Sequence, residues 1–506
     1  MSNPNPPVAS RLRARLPAGL GLIALLGYAL LLGSQTIPVA GGADSSGYFN
    51  SGRLLASGHL SIALRAPPEF GPRASLDPLH FLPQGFFPGR DRTRLTPTYP
   101  TGLPLHLAAA GALFGWERGA QLLLVAAAIG AVALTYLAAR ALGIARPLAA
   151  AGAVVLAAFP VFLFTSIQPL SDTLATLWST AALVAALRAR ARPGWAAAAG
   201  TAFALAVLVR PTNLLLAPGL LWLFGRAWRT HAWFALGGLP GAAWLAFYNH
   251  TLYGHPLASG YGDIFSAFSL AYGPPTAVHF ARWLALLLPF PLLLTPFAAL
   301  ARPESRTREL AALALLFLPV AGCYVFYEVS REVWWCLRFI LPVVPVLILA
   351  GLLGIEALAR LPACRQPQML RRAAAVALAL WALGLSWYWT PRLAVFMVKH
   401  YEQAYAEGAA AARERFPATA LVLCQAFSGT LYFYTDFPAL RWDQIEAPAF
   451  YRYAALARSA GRPVCAVLFE SEEADAFRRC PGAWTRVAKV RNVGLWQLAA
   501  DPPPSR

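Results

Sequence analysis

Residues 19–48 read GLGLIALLGYALLLGSQTIPVAGGADSSGY. The segment up to Ala40 has no charged residue, and the first acid of the chain, Asp44, follows a few positions later. At ~1.5 Å per residue such a run is long enough to cross the ~30 Å hydrocarbon core of a bilayer. Arg11, Arg13 and Arg15 precede it, and basic residues next to a span stay on the cytoplasmic side. With no convincing small-residue cleavage site, residues 18–39 read as a signal anchor. Asp44 then emerges on the far face.

The whole chain follows that lead. It has 506 residues, is 58% hydrophobic and has a mean hydropathy of +0.51, too apolar for a soluble core. The net charge of +19 comes almost wholly from arginine, the only lysines being Lys399 and Lys489. The arginines are scattered between apolar runs and form no single stripe, which argues against a nucleic-acid partner. They read instead as positive-inside markers in a protein whose solvent is membrane lipid.

Those markers give a topology. Residues 1–17 form a cytoplasmic N-terminus, 18–390 a transmembrane domain, 40–118 its first extracytoplasmic loop, and 391–506 a small outer α/β domain. The apolar piece at 102–115 is too short to cross comfortably, so it is placed along the outer face. Runs 119–139, 147–167, 170–187, 194–209, 213–225, 231–248, 283–300, 309–327, 339–358 and 373–389 then alternate. The arginine-rich loops at Arg140 and Arg146, Arg188 to Arg192, Arg226 and Arg229, Arg302 to Arg308, and Arg360 to Arg372 all fall inside. The expected fold is mostly α, a polytopic bundle of about eleven spans. In the tail, strand-like ALVLC (420–424) and PVCAVLF (463–469) alternate with helix-like SEEADAFRR.

Four polar features land on the outer side at one depth: Asp44, Asp172 in QPLSDTLAT, Arg210 in LVRPTN, and Arg338 with Arg331 in EVSREVWWCLRF. Each has an ordinary alternative. Asp44 is a solvated acid, Asp172 a helix cap, and the arginines are snorkelling side chains. Together they read as a carboxylate base facing a cationic phosphate site at headgroup depth. The stretch SSGYFNSGRLLASGHLSI reads as an amphipathic helix with Tyr48, Leu54, Leu55 and Leu60 on or near one side. Lying in the interface, it would hold Asp44 there. This constellation suits transfer from a lipid phosphate, with arginines stabilising the departing group. Eight dispersed histidines and six cysteines without zinc spacing give no metal site, and no cofactor is expected. Of Cys424, Cys465 and Cys480 in the outer domain, two can pair or all can be buried free thiols.

At these residues the chain resembles the GT-C superfamily of membrane glycosyltransferases, in the bacterial branch of protein O-mannosyltransferases and aminoarabinose transferases. The strings are ADSSGY, TYPTGLPL (98–105), QPLSDTLAT (168–176), LVRPTNLLLAPG (208–219) and RFILPVVPVL (338–347), in order, within residues 18–360. The resemblance implies an inverting glycosyltransferase of the bacterial inner membrane using a polyprenyl-phosphate sugar at the periplasmic face. Asp44 maps to the first-loop aspartate, as base or acceptor-positioning group, and Asp172 to the second outer acid. Arg210 and Arg338 would bind the donor phosphate. Tyr48, Tyr99 and His106, in or beside the matching strings, are candidates for lining the donor and acceptor pocket. Two departures stand out. Ser45 follows Asp44 where many relatives have a second acid. Tyr99-Pro100-Thr101-Gly102 replaces a string whose lysine contacts phosphate, leaving Arg94 or Arg53 as substitutes.

Two other classes compete. A transporter or flippase of envelope glycan precursors would show mid-membrane polar groups and internal repeats. An assembly protein would work through its tail.

Overall fold

The computed structural model describes residues 8–300 and 307–499. Arg302, Arg306 and the ends of both termini lie outside the described residues. The first helix, α1 (Val8–Gln35), carries the opening apolar run. After a short extended stretch comes α2 (Ala43–Ala56), with Asp44 in its first turn. The loop then builds a small antiparallel sheet of β1 (Ile62–Ala63), β2 (Phe86–Pro88) and β3 (Arg94–Pro97), with β3 central. Ile62 faces Leu95, and Phe86 faces Pro97. The short apolar piece is α3 (Gly102–Phe114), followed by α4 (Trp116–Ala141).

The rest of the helical part runs α5 (Arg146–Ala158), α6 (Pro160–Ser166), α7 (Ser171–Ala189), α8 (Trp195–Val209), α9 (Ala217–Phe224) and α10 (Trp228–Tyr253). It continues with α11 (Gly273–Leu287), α12 (Pro291–Leu300), α13 (Thr307–Val325), α14 (Val344–Ala359) and α15 (Pro367–Arg392). Among the described residues, four helical segments are long and apolar enough to cross a membrane: α4, α13, α15 and Trp334–Ala359. Two bent pairs raise the number to six. Other runs among the eleven expected crossings are shorter apolar helices, such as Trp195–Val209.

Two expected straight spans are broken. Run 147–167 bends by 61° between α5 and α6, where Pro160 interrupts it. Run 283–300 turns by 104° across Leu288-Pro289-Phe290-Pro291. A proline supplies no backbone N–H and clashes with the preceding turn, so an apolar count by itself overestimates straight spans.

The tail opens with α16 (Val398–Arg415) and folds into a five-stranded sheet. Its strands are β4 (Leu421–Cys424), β5 (Ala439–Arg441), β6 (Val464–Phe469), β7 (Trp484–Val490) and β8 (Val493–Leu498), in the order β5-β4-β6-β8-β7. The first three are parallel and the last two antiparallel. Helices α17 (Ser428–Tyr434), α18 (Ala447–Ser459) and α19 (Glu470–Arg479) complete it. Both strand-like runs read from the sequence are strands. Cys424, Cys465 and Cys480 are free and buried, and burial pushes all three thiols up.

One expectation changes at α2. The helix stops at Ala56, where Gly58 takes a positive φ of 75°. His59 N–H and Gly58 N–H then bond the carbonyls of Leu54 and Leu55, a Schellman ending that only a residue free of Cβ strain enters readily. Leu60 therefore lies outside the helix. Residues Ser45 to Gly52 of α2 are buried against α3 and α17. An interfacial helix would leave its polar side wet; here the tail covers it.

Candidate functional site

Four charged side chains meet where α2, α7, the end of α8 and the start of the Trp334–Ala359 segment converge. Asp44 and Asp172 each sit in the first turn of their helix. Arg210 follows α8, in extended backbone that Pro211 enforces on the residue before it. Arg338 lies in a 3-10 run, Trp334–Val343, that leads into α14. Gly102 helps fix this junction. A Cβ there would come within 2.3 Å of the Val209 backbone nitrogen, so α3 meets the end of α8 backbone to backbone.

The charges pair crosswise. Arg338 Nη2 donates to Asp44 Oδ2 at 3.0 Å. Its Nη1 lies 3.8 Å from Asp172 Oδ2, and Arg210 Nη1 donates to Asp172 Oδ1. Arg210 also donates to the Arg338 carbonyl at 3.2 Å and to the Tyr324 hydroxyl at 3.3 Å. Asp172 is 2% exposed, and its carboxylate is turned to arginine, with no side-chain cap on α7. Arg338 Nε is buried without a hydrogen-bond partner among the described residues. An N–H left so costs about 1–3 kcal/mol. The quartet is formally neutral, which favours burial of Asp172, Arg210 and Arg338, while the Asp44 side chain stays 33% exposed.

Aromatic rings enclose it. The Arg210 guanidinium lies 5.6 Å from the Tyr324 ring centre and 5.4 Å from that of Phe339. Arg338 is 5.2 Å from the Trp335 ring centre and 5.4 Å from that of Phe339. Tyr48 and Tyr99 pack at 4.9 Å between centroids, and the Tyr99 hydroxyl reaches Asp44. Burial, and then the Asp44 charge, push that hydroxyl up, so it stays a proton donor.

Other expected residues are elsewhere. Arg53 is nine positions beyond Asp44 on α2, half a turn round the axis, and points to the tail. It donates to the Phe433 carbonyl at 2.7 Å and stacks 3.9 Å from that ring's centre. Arg94, on β3, is exposed and donates to Ser61. Neither joins the cluster as a substitute phosphate ligand. His106 occupies both ring nitrogens within the helical core, Nδ1 at 2.7 Å from the Gly102 carbonyl and Nε2 accepting from Trp178 at 3.2 Å. Arg331 stacks on Tyr272.

Sequence reasoning passed over three neighbours of the cluster. Tyr324 and Phe339 are ordinary aromatics of apolar runs, and only their place at a span end sets them apart. Glu402, on α16, lies near Asp44 in space although it belongs to the tail. Among the described residues no group of three or more His, Cys, Asp or Glu side chains is gathered as a metal site.

No family model matches the chain, and no curated protein does. Solved structures do. ArnT from Cupriavidus metallidurans bound to undecaprenyl phosphate aligns with a TM-score of 0.60 at 15% identity, over 95% of this chain and 98% of that one. The archaeal oligosaccharyltransferase AglB from Archaeoglobus fulgidus, in complex with an inhibitory peptide and a dolichol-phosphate, gives 0.54 at 14%, over 96% and 75%. The mycobacterial arabinofuranosyltransferase AftD gives 0.54 at 17%, over 95% of this chain and 40% of that one. With identities this low it is the architecture alone that is shared, and the chain has the GT-C fold.

Proposed function

We propose that the chain is an integral-membrane inverting glycosyltransferase. It moves a sugar from a polyprenyl-phosphate donor to an extracytoplasmic lipid, envelope glycan or protein. The observation that carries this reading is the Asp44–Arg338–Asp172–Arg210 quartet on a GT-C fold. On this reading residues 18–390 cross the bacterial cytoplasmic membrane about eleven times, and 391–506 form the outer domain. The quartet then faces outward at headgroup depth.

The chemistry follows from the groups. A polyprenyl-phosphate sugar presents its anomeric carbon beside a phosphate. Arg338 Nε has no hydrogen-bond partner among the described residues, and guanidinium forks match phosphate oxygens well. As the carbon–oxygen bond breaks, negative charge grows on the phosphate, and two arginines already in place stabilise it. Asp44 takes up or orients the acceptor hydroxyl on the opposite face of the sugar. Tyr99 steadies Asp44. The likeness to structures bound to undecaprenyl phosphate and dolichol-phosphate supports a lipid-phosphate ligand.

The test is binding of undecaprenyl phosphate to the protein in nanodiscs, together with mass spectrometry of envelope glycans and lipid-linked sugars with and without the gene. Saturable binding that Arg338→Gln weakens, plus a missing glycan and an accumulated lipid-linked sugar, are expected. Unchanged glycans and no binding would refute the reading.

A further inference from the structure

Glu402 is a third acid at this site, and it comes from the tail. Its carboxylate lies against the Gly41-Gly42 turn that leads into α2. A Cβ on Gly41 would come within 2.2 Å of Glu402 Oε2 and 2.9 Å of Tyr405 Cδ2. The Gly41 carbonyl accepts from Ser46 N–H at 3.1 Å, so this turn is tied directly to the helical turn that holds Asp44. Asp44 and Asp172 are both engaged by arginine. Glu402 has no cation within ion-pair distance among the described residues.

The other charges around it are accounted for. From α2, the charge of Asp44 acts on it. On its own helix Tyr405 lies alongside, and Tyr405 also feels the charge of Glu472 of α19. Lys399 Nζ is taken by the Ser34 carbonyl at 2.7 Å, and His400, Gln403 and Glu407 face Arg491. Burial, and then the Asp44 charge, push the Glu402 carboxyl up to about 7. A carboxylate so placed accepts a proton at neutral pH and releases it again, as a proton carrier must.

We infer that Glu402 is the proton-holding partner of Asp44, through which the tail completes the site. The inference rests on the glycosyltransferase reading. In the transfer step the acceptor oxygen bonds to the anomeric carbon, and the carbon–oxygen bond to phosphate breaks. The electron pair leaves with the lipid phosphate. The acceptor proton passes to the Asp44–Glu402 pair and leaves from Glu402 to water. Glu402 acts through Asp44 and is a positioning residue for its proton.

The experiment compares wild type, Glu402→Gln, Glu402→Asp and Asp44→Asn, full length in lipid nanodiscs. Carboxyl protonation is followed by infrared difference spectroscopy from about pH 5 to about pH 9, and undecaprenyl phosphate binding is measured on the same samples. Wild type should show one carboxyl deprotonating near neutral pH. That signal should vanish in Glu402→Gln, persist in Glu402→Asp, and fall by about one pH unit in Asp44→Asn. A Glu402 that is merely buried would also titrate, but Asp44→Asn would leave its signal unmoved. If all four proteins bind undecaprenyl phosphate and no carboxyl titrates near neutral pH, or one does and Glu402→Gln leaves it in place, the inference is overturned and the glycosyltransferase reading survives. If wild type does not bind the lipid phosphate, both fall.

Discussion

Arg338 Nη2 and Asp44 Oδ2 stand 3.0 Å apart although 294 residues separate them in the chain. The contact joins α2, near the start of the chain, to the run that leads into α14, and the same guanidinium reaches on to Asp172. It makes Asp44 the residue whose replacement is most informative. Asp44→Asn keeps size and hydrogen-bonding capacity but removes the charge. Sugar transfer from a polyprenyl-phosphate donor should fall by about 10²-fold or more, with membrane insertion retained and the thermal midpoint lowered less than by breaking the inner pair, because the Asp44 side chain is 33% exposed.

Breaking the inner pair should act on stability. Arg210 and Asp172 side chains are 12% and 3% exposed. Removing one member of a buried pair leaves an uncompensated charge, at about 3–5 kcal/mol. Arg210→Gln should therefore lower the unfolding midpoint in detergent sharply. The double variant Arg210→Gln with Asp172→Asn should be more stable than the single one, although inactive.

Gly102 offers a test of packing that touches no charge. Gly102→Ala places a methyl 2.3 Å from Val209 N and 2.4 Å from the Leu208 carbonyl carbon. Neither is the end of a flexible side chain, so the backbone has to move. Overpacking of this kind costs about 1–3 kcal/mol. Thermal unfolding should register it, and undecaprenyl phosphate affinity should drop with it because Arg210 follows the same segment.

Arg53 separates docking from binding. It clamps α2 to the tail through the Phe433 carbonyl and ring. Arg53→Met should speed proteolytic release of the tail and leave undecaprenyl phosphate affinity within about twofold. A large affinity loss would return Arg53 to the phosphate site.

The tail and the first loop also share an ion pair, Glu69 Oε1 with Arg462 Nε at 2.6 Å. The hydrogen bond from Arg462 holds the Glu69 carboxyl below its usual range. A carboxylate with a depressed folded-state value contributes stability above the unfolded value, and loses it as pH falls through the folded one. Acidification below about pH 4 should loosen the tail in wild type. Glu69→Gln should already be loosened at neutral pH and respond less to acid, as measured by protease sensitivity against pH.

Much of this was legible from residue type alone. Arg140, Arg188 and Arg229 mark helix ends because charge avoids hydrocarbon, and Asp172 and Arg210 stand out because each interrupts an apolar run. The kinks at Pro160 and Pro289 were visible as residues, but the angle a proline imposes depends on what packs into the bend. Burial of α2 was hidden for a different reason. Its cover, α17, is far along the chain, and the bond from Asn50 Nδ2 to the Gly429 carbonyl, 2.8 Å long, has no local signature. Arg53 was expected at the cluster and Glu402 was passed over on the same account: which face of a helix meets a distant domain is a tertiary property.

The neutral quartet has a consequence for timing. Its dipoles are oriented, and Asp172, Arg210 and Arg338 are largely withdrawn from water, as soon as the chain folds. On the glycosyltransferase reading, an incoming phosphate meets a field already aligned to it and has only to displace a carboxylate from a guanidinium. The barrier to chemistry is then lowered by order installed in advance, and a solvent-filled cleft with the same four side chains would have to reorganise at each turnover.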